Sequence, residues 1–242
     1  MEITVLGCYG PYPAPGEATS GYLIRVGGRK ILLDLGAGAL GKMMKILRPE
    51  ELDCVLFSHL HYDHMSDAFV LRYYLELNRG KLDVYVPAEE RSERRTMLDT
   101  PVFRVHDLPE SGEVCGIRVS SFPVKHPVPC RAIRLEAEGK TFVFTGDTNY
   151  FEGLEGFCRG ADVLFADSAF TREQWGEAKP HMSAELCGRL AAESSAGGLY
   201  LTHLNPQNDP AQLISEAEEG CRLSGKVSVP VKTVYPGLTV MI

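Results

Sequence analysis

Short apolar runs typical of β-strands occur in two groups along this chain, and helical patterns follow each group. The first group covers residues 3–58 and precedes a helical pattern at 65–77. The second covers residues 102–145, after which strand and helix patterns alternate to the end of the chain. Because a sheet or a helix must bury its apolar face against another element, this order predicts two sheets packed on each other and covered by helices.

Local signals define several of these elements. Gly27–Gly28 and the turn at 137–139 predict hairpins, since glycine reaches the positive φ values that tight turns need. Ser183 is a suitable N-cap for a helix at 183–193. Residues 65–77 have the periodicity of a helix, and one side of that helix carries the larger apolar residues Phe69, Val70, Tyr73, Tyr74 and Leu77. Strands at 227–229, 232–235 and 238–241 are expected to close the chain.

The composition fits one substantial core. The chain has 242 residues, of which 44% are hydrophobic and 24% charged, and it contains no linker-like segment. We therefore expect a single domain over residues 1–242. The 25 Lys and Arg residues face 32 Asp and Glu residues, and the formal net charge of −7 argues against non-specific binding to a nucleic-acid backbone. A local basic groove stays open as an alternative.

The sequence also indicates where the protein resides. No stretch approaches the roughly 20 apolar residues that span a bilayer, and the first residues have no signal-peptide pattern. The seven cysteines are scattered and include no Cys-x-x-Cys pair, which is typical of reduced thiols. We expect a cytoplasmic protein with no membrane partner.

The residues most informative about function are three histidines and an aspartate that follow a buried strand. They are His59, His61, Asp63 and His64. Imidazole and carboxylate groups suit zinc, and also manganese or iron. Where the backbone is extended, His59 and His61 point the same way and can bind one ion together. Asp63 and His64, at the turn into the helix, face a second position.

Further polar residues occur in the same context. His126, Asp147 and His203 each come directly after an apolar strand, the position at which rigid scaffolds present site residues. They complete a ligand set for two divalent metal ions. Asp34 also ends a strand, and we expect it to orient a ligand histidine through the free ring nitrogen of that histidine. His106 matches no pattern and is interpreted as an ordinary surface residue.

With these residues in place, the chain resembles the metallo-β-lactamase superfamily over nearly its whole length. The resemblance implies an α+β fold, an αββα four-layer sandwich in which two mixed β-sheets pack face to face with helices on both outer faces. It also implies a dinuclear site at one edge. By that resemblance His59, His61 and His126 bind the first metal, and Asp63, His64 and His203 the second, with Asp147 as the bridge.

Within the superfamily, the segments 125–129 and 179–184 look like the ribonuclease Z branch. In that branch the histidine that corresponds to His181 assists phosphodiester cleavage. Two features depart from the branch. Ribonuclease Z proteins usually carry a long tRNA-binding arm between the motifs that correspond to His126 and Asp147, and the 21 positions between these residues leave no room for it. The loop at 7–13 also lacks the basic pattern that is usual after the first strand in tRNA-processing members. Transfer RNA is therefore not the expected substrate.

These observations predict a metal-dependent hydrolase, namely a phosphodiesterase that acts on nucleotides, cyclic nucleotides or short oligonucleotides. The metals would activate a water molecule. Asp63 and His181 are the catalytic candidates. Asp63 would orient the water, and His181 would hydrogen-bond the developing oxyanion or protonate the leaving oxygen. Two alternatives stay open. One is a carboxyl ester, lactone or thioester hydrolase that uses the same site, and the other is a non-catalytic metal-binding protein. The resemblance also implies a homodimer, which is the assembly that we expect.

Overall fold

The strands form two seven-stranded sheets in the computed structural model, which describes residues 1–88, 91–225 and 228–242. The first sheet has the order β14-β1-β2-β3-β4-β5-β6, antiparallel from β14 to β3 and parallel from β3 to β6. Its strands are β1 (Glu2–Gly7), β2 (Gly21–Val26), β3 (Arg29–Leu35), β4 (Cys54–Leu56), β5 (Leu82–Val86), β6 (Phe103–Asp107) and β14 (Thr239–Met241).

The second sheet has a matching arrangement. Its order is β13-β12-β11-β10-β9-β8-β7, parallel from β13 to β10 and antiparallel from β10 to β7. Its strands are β7 (Ser111–Val114), β8 (Ile117–Pro123), β9 (Arg131–Ala137), β10 (Lys140–Phe144), β11 (Val163–Asp167), β12 (Leu199–Thr202) and β13 (Val231–Thr233). The predicted pair of mixed sheets is confirmed.

The two sheets share one apolar core, and the periodicity of the strands explains how. In β3, Ile31 and Leu33 point into the core between the sheets, while Leu32 and Leu35 point to the outer face. Successive side chains of a strand alternate in direction, so a strand that is apolar throughout can bury both faces. The outer face of this sheet then packs against helices, as a four-layer sandwich requires.

Six helices cover the outer faces in the described part of the chain. They are α1 (Ala39–Met43), α2 (Tyr62–Leu77), α3 (Ser92–Leu98), α4 (Leu154–Cys158), α5 (Ala184–Glu193) and α6 (Pro210–Leu223), and a 3-10 turn spans Pro49–Glu51. As predicted, Ser183 caps α5, where its hydroxyl accepts a hydrogen bond from the backbone of Leu186. Among the helices that the structure describes, none combines the length and the apolar character needed to cross a bilayer.

The buried side of α2 differs from the side with the largest apolar residues. Met65, Ala68, Leu71 and Leu75 face the sheet, whereas Val70, Tyr73 and Leu77 are exposed. The helix begins at Tyr62, earlier than expected, and His64 in its first turn is buried together with this smaller stripe. The buried side of α2 is therefore the side that also carries the ligand candidate His64.

Both predicted glycine turns are present. Gly27 and Gly28 have φ values of 57° and 75°, and Glu138 and Gly139 have values of 55° and 72°. Positive φ at both central residues matches the twist of a two-residue hairpin. The predicted closing strand at 227–229 is not tested at Val227, which lies outside the described residues, and residues 228 and 229 are not in a strand.

An ion-pair cluster on the first sheet allows a stability prediction. Hydrogen bonds from Arg104 (2.8 and 2.5 Å) and then from His106 (2.8 Å) lower the pKa of Asp83 to about 2 from its ordinary 3.8. The folded state therefore gains stability from ionised Asp83 above about pH 4 and loses it as the pH falls toward 2.

Since Asp83 is partly exposed, Asp83→Asn should reduce the free energy of unfolding by about 1 kcal/mol at pH 7. The difference between the variant and the wild type should shrink between pH 4 and pH 2. Urea unfolding at several pH values measures it. A difference that stays constant over this range would show that the ion pair is not its source.

Candidate metal centre

The C-terminal ends of four strands bring the predicted ligands to one edge of the sandwich. Residues 58–64 follow β4, His126 follows β8, Asp147 follows β10 and His203 follows β12. Strand ends on the same edge converge because the sheets face each other. All seven predicted metal ligands lie in this one cluster, divided between two groups that share Asp147.

The first group contains His59, His61, His126 and Asp147. Nε2 of His59 and Nε2 of His126 lie 3.0 and 3.1 Å from Nδ1 of His61. Three imidazole nitrogens therefore converge on one point. Because a neutral ring has only one N–H, hydrogen bonds between the rings are a poor explanation for this convergence. Four ligands at about 2.0–2.1 Å from a zinc ion stand about 3.3 Å from one another, so this spacing suits a shared cation.

The second group contains Asp63, His64, Asp147 and His203. Oδ2 of Asp147 lies 3.2 Å from Nε2 of His64 and 3.2 Å from Nε2 of His203. Nε2 of His203 also lies 3.2 Å from Oδ2 of Asp63. Asp147 is thus the member that both groups need, as expected of a residue between two ions.

Unsatisfied polar atoms provide a test of whether this set fits metal ions. Oδ1 of Asp147 is fully buried and has no hydrogen-bond partner among the described residues, and Nε2 of His64, also buried, faces carboxylate oxygens at 3.2 and 3.6 Å without forming a hydrogen bond. A buried polar atom without a partner is costly, and such atoms call for an explanation. Nitrogen and carboxylate donors that converge on one space fit divalent cations of the zinc, manganese or iron type.

Hydrogen bonds on the far side of the rings orient these histidines. Oδ2 of Asp34 lies 2.7 Å from Nδ1 of His64, and the Ser58 hydroxyl lies 3.1 Å from Nδ1 of His59. Asp34 also accepts hydrogen bonds from the backbone and the hydroxyl of Ser58. The structure thus places Asp34 in the role expected of it, and the histidine it orients is His64. Such outer contacts fix ring orientation and strengthen metal binding.

His181 lies beside both groups and is held by an aspartate that sequence reasoning missed. Nδ1 of His181 is 2.7 Å from Oδ2 of Asp167, and a third group joins these two residues to Asp147 and His203. Asp167 is fully buried at the end of β11. The signal for it was present, because Asp167 ends a buried apolar strand just as Asp147 and His203 follow one.

Electrostatics distinguishes the members of the cluster. Burial, with the nearby histidines, holds the pKa of His59 well below its ordinary value. Burial also acts to lower the pKa of His181, but the Asp167 carboxylate and its hydrogen bond outweigh this and raise the pKa. For Asp147, burial acts to raise the pKa, and His203, His64 and His59 outweigh it and lower the pKa. These shifts favour ionised Asp147 and neutral His59, and the neutral imidazole is the form that binds metals.

The remaining histidine takes no part in the cluster. His106 lies in β6, where its Nε2 contacts Asp83 at 2.8 Å and its ring stacks on Tyr85. Its side chain is 44% exposed. The structure thus leaves His106 as the surface residue that the sequence predicts.

Close packing of the 8–13 loop against the second group leads to a prediction for Gly10. A Cβ added at Gly10 would lie 2.0 Å from Nε2 of His203, so Gly10→Ala must displace the ring. We expect the variant to lose metal from the second group and about 10²-fold in hydrolytic rate, since small displacements at a site are costly. Elemental analysis with rate measurements tests this.

Gly41→Ala is the matched control for Gly10→Ala. A Cβ at Gly41, in α1, meets nothing within 4 Å. Alanine is also favoured over glycine inside a helix, so this variant should keep the wild-type metal content and stability. Full metal content in Gly10→Ala would contradict the role given to this close packing.

Comparisons with known proteins show the family to which the chain belongs. A family model described as the β-lactamase superfamily domain matches residues 29–204. The probable metallo-hydrolase YhfI of Bacillus subtilis (strain 168) is 33% identical over 212 residues, covering 84% of this chain and 87% of that protein. Ribonuclease Z of Mycolicibacterium gilvum (strain PYR-GCK) is 26% identical over 250 residues, covering 88% of this chain and 87% of the relative.

Solved structures show the same fold. The crystal structure of the metallo-β-lactamase fold protein YhfI from Bacillus subtilis superposes with a TM-score of 0.92 at 29% identity, covering 99% of this chain and 98% of that one. The short form of human tRNase Z superposes with a TM-score of 0.79 at 21% identity, covering 100% of this chain and 99% of the other.

Proposed function

The chain belongs to the metallo-β-lactamase superfamily and is a metallo-hydrolase, and from this premise we propose that it is a phosphodiesterase. Its substrates are nucleotides, cyclic nucleotides or short oligonucleotides, and water cleaves them at a centre for two divalent metal ions. The proposed metal is Zn²⁺, and Mn²⁺ or Fe are the alternatives. The observation that carries the proposal is the pair of ligand groups joined at Asp147 with the His181–Asp167 pair beside them.

The ligand assignment follows the two groups of side chains. His59, His61 and His126 would hold one ion and Asp63, His64 and His203 the other, and Asp147 belongs to both groups. Bound ions supply an acidified water and positive charge that stabilises phosphate oxygens. The negative charge of Asp147 lies at the point where the two groups meet.

His181 supplies what phosphodiester cleavage needs beyond the metals. Its Nδ1 is engaged by Asp167, which leaves Nε2 as the nitrogen available to a substrate. The carboxylate orients the ring and favours its protonated form. A protonated His181 can stabilise the charge that develops on phosphate and give its Nε2 proton to the leaving oxygen. Alkoxide leaving groups of nucleotides depart more readily when such a donor protonates them.

Asp63 is the second catalytic candidate. Its Oδ2 contacts Nε2 of His203 at 3.2 Å, so one oxygen is held within the second group. The side chain is 12% exposed, which leaves it accessible from the mouth of the site. From this position Asp63 orients the attacking water by accepting its hydrogen bond.

A substrate panel tests the proposed reaction. Purified metal-loaded protein is assayed against bis(p-nitrophenyl) phosphate, a 3′,5′-cyclic nucleotide and a dinucleotide, beside p-nitrophenyl acetate, a lactone and a thioester. We expect hydrolysis of the phosphodiesters. Hydrolysis confined to the carboxyl compounds would favour the ester hydrolase alternative, and metal-replete protein without any turnover would favour a metal-binding role.

We also propose small phosphodiesters rather than tRNA as partners. The segment between β8 and β9 covers only residues 124–130, and β9 continues into β10 through a two-residue turn. Cleavage of a tRNA precursor at a rate comparable to that of a dinucleotide would contradict this restriction. The homodimer implied by the resemblance is likewise a proposal, tested by sedimentation.

A further inference from the structure

A small cavity adjoins the proposed centre on the side of His126. It measures about 210 Å³ and is lined by residues 125–127 and 177–180. Two of the lining residues are lysines, Lys125 and Lys179. Lys125 directly precedes His126, and Lys179 stands two positions before His181. The cavity therefore lies between the segments that carry a metal-ligand candidate and the proton-donor candidate.

The ammonium groups of these lysines have no carboxylate partner in residues 1–88, 91–225 and 228–242. Lys125 donates to the backbone carbonyl of Glu177 at 3.3 Å, and the Lys179 ammonium lies 5.4 Å from the centre of the Phe170 ring. Glu177 also lines the cavity, and among the described residues its carboxylate forms no ion pair with either lysine. The lining thus contains two cationic side chains and one carboxylate, although the chain as a whole carries a net charge of −7.

A buried asparagine holds both lysine-bearing segments in place. The Asn149 side-chain amide donates to the carbonyl oxygens of Gly176, Glu177 and Lys179, at 3.2, 3.2 and 2.8 Å. The backbone N–H of Asn149 donates to the carbonyl of Lys125 at 3.1 Å. Asn149 is only 1% exposed, so these bonds are shielded from water. The backbone of both lysine-bearing segments is thus held in place before a ligand binds. This reduces the backbone entropy that is lost on binding.

We propose that Lys125 and Lys179 form a subsite for a second phosphate group of the substrate, next to the phosphodiester that is cleaved. The inference rests on the proposed phosphodiesterase function and narrows its substrate class. A cyclic mononucleotide has a single phosphate, which the metal centre occupies. The preferred substrate is therefore a short oligonucleotide with a terminal phosphate. Because the cavity adjoins the segment that carries His181, the second phosphate belongs to the leaving nucleoside.

The test compares three dinucleotides: ApA without a terminal phosphate, pApA with a 5′-phosphate and ApAp with a 3′-phosphate. The two phosphorylated forms distinguish which sugar oxygen leaves. If O3′ leaves, the leaving nucleoside is the one that carries the 5′-phosphate in pApA. If O5′ leaves, the leaving nucleoside is the one that carries the 3′-phosphate in ApAp. For the wild-type protein we expect kcat/KM to be about tenfold higher for one phosphorylated form than for ApA. The gain should appear in KM, because the contact is remote from the reacting atoms.

Variants then assign that preference to the two lysines. In Lys125→Ala/Lys179→Ala the ratio of kcat/KM for the phosphorylated form and ApA should fall to about one, and the arginine double variant should restore it. Lys232→Ala is the matched control, since this lysine lies over an aromatic ring, Tyr200, in β13 and should keep the wild-type ratio.

The outcomes separate the two proposals. Equal kcat/KM for all three dinucleotides in the wild type, or a preference that persists in the alanine double variant, would overturn the subsite while leaving the phosphodiesterase intact. Failure to hydrolyse any phosphodiester, with hydrolysis of a carboxyl ester, would overturn the proposed function and the subsite with it.

Discussion

Asp147→Asn is expected to reduce the bound metal from two ions to at most one per chain and to lower the hydrolytic rate by at least about 10³-fold. Asp147 is the only residue common to both ligand groups among the described residues, and its Oδ2 lies 3.2 Å from two histidine nitrogens. An amide lacks the negative charge that offsets the charge of two cations, and it cannot bridge them with two oxygens. Elemental analysis and steady-state kinetics measure the two effects.

The control for Asp147→Asn is the same change at a surface position. Asp162 accepts hydrogen bonds from the backbone of Thr141 and from Lys140, away from both ligand groups. Asp162→Asn should therefore retain two ions and the wild-type rate. Two ions in Asp147→Asn would contradict the bridging role, even if the rate had fallen.

His181→Ala is expected to lower the rate by roughly 10²–10³-fold on substrates with an alkoxide leaving group. The loss should be much smaller with p-nitrophenolate, which leaves without protonation. This difference identifies a proton donor, because a residue that only shapes the site would affect both substrates alike. Metal content should remain at two ions, since His181 is not among the proposed ligands. Rates measured on a dinucleotide and on bis(p-nitrophenyl) phosphate provide the comparison.

Asp167→Asn extends the same test to the residue that orients His181. The variant keeps the shape of the side chain but removes the charge 2.7 Å from Nδ1 of His181, so we expect a loss of about 10–100-fold with the same dependence on leaving group. His106→Ala, at an exposed histidine that also contacts an aspartate, should have no effect on the rate. Equal losses on both leaving groups in His181→Ala would show that His181 is not the proton donor.

Much of the architecture could be predicted from the sequence because the patterns involved are local. Apolar runs of strand length, glycine pairs at hairpin turns and the Ser183 cap each depend on neighbours along the chain. The crowded motif at 59–64 predicts a metal site for the same reason, since its four ligand candidates lie one or two positions apart along the chain. His126, Asp147 and His203 could be added because each follows a buried strand, and strand ends share an edge.

Only the tertiary structure decided matters that depend on which distant side chains meet. It divides the ligand candidates into two groups around Asp147, assigns Asp34 to His64 and Asp167 to His181, and ties the segments of Lys125 and Lys179 together through Asn149. It also buries the smaller apolar stripe of α2, against the expectation from side-chain size. Periodicity describes one element at a time. These contacts instead arise from the packing of two sheets, which brings together residues as distant in sequence as Asp63 and His203, 140 positions apart.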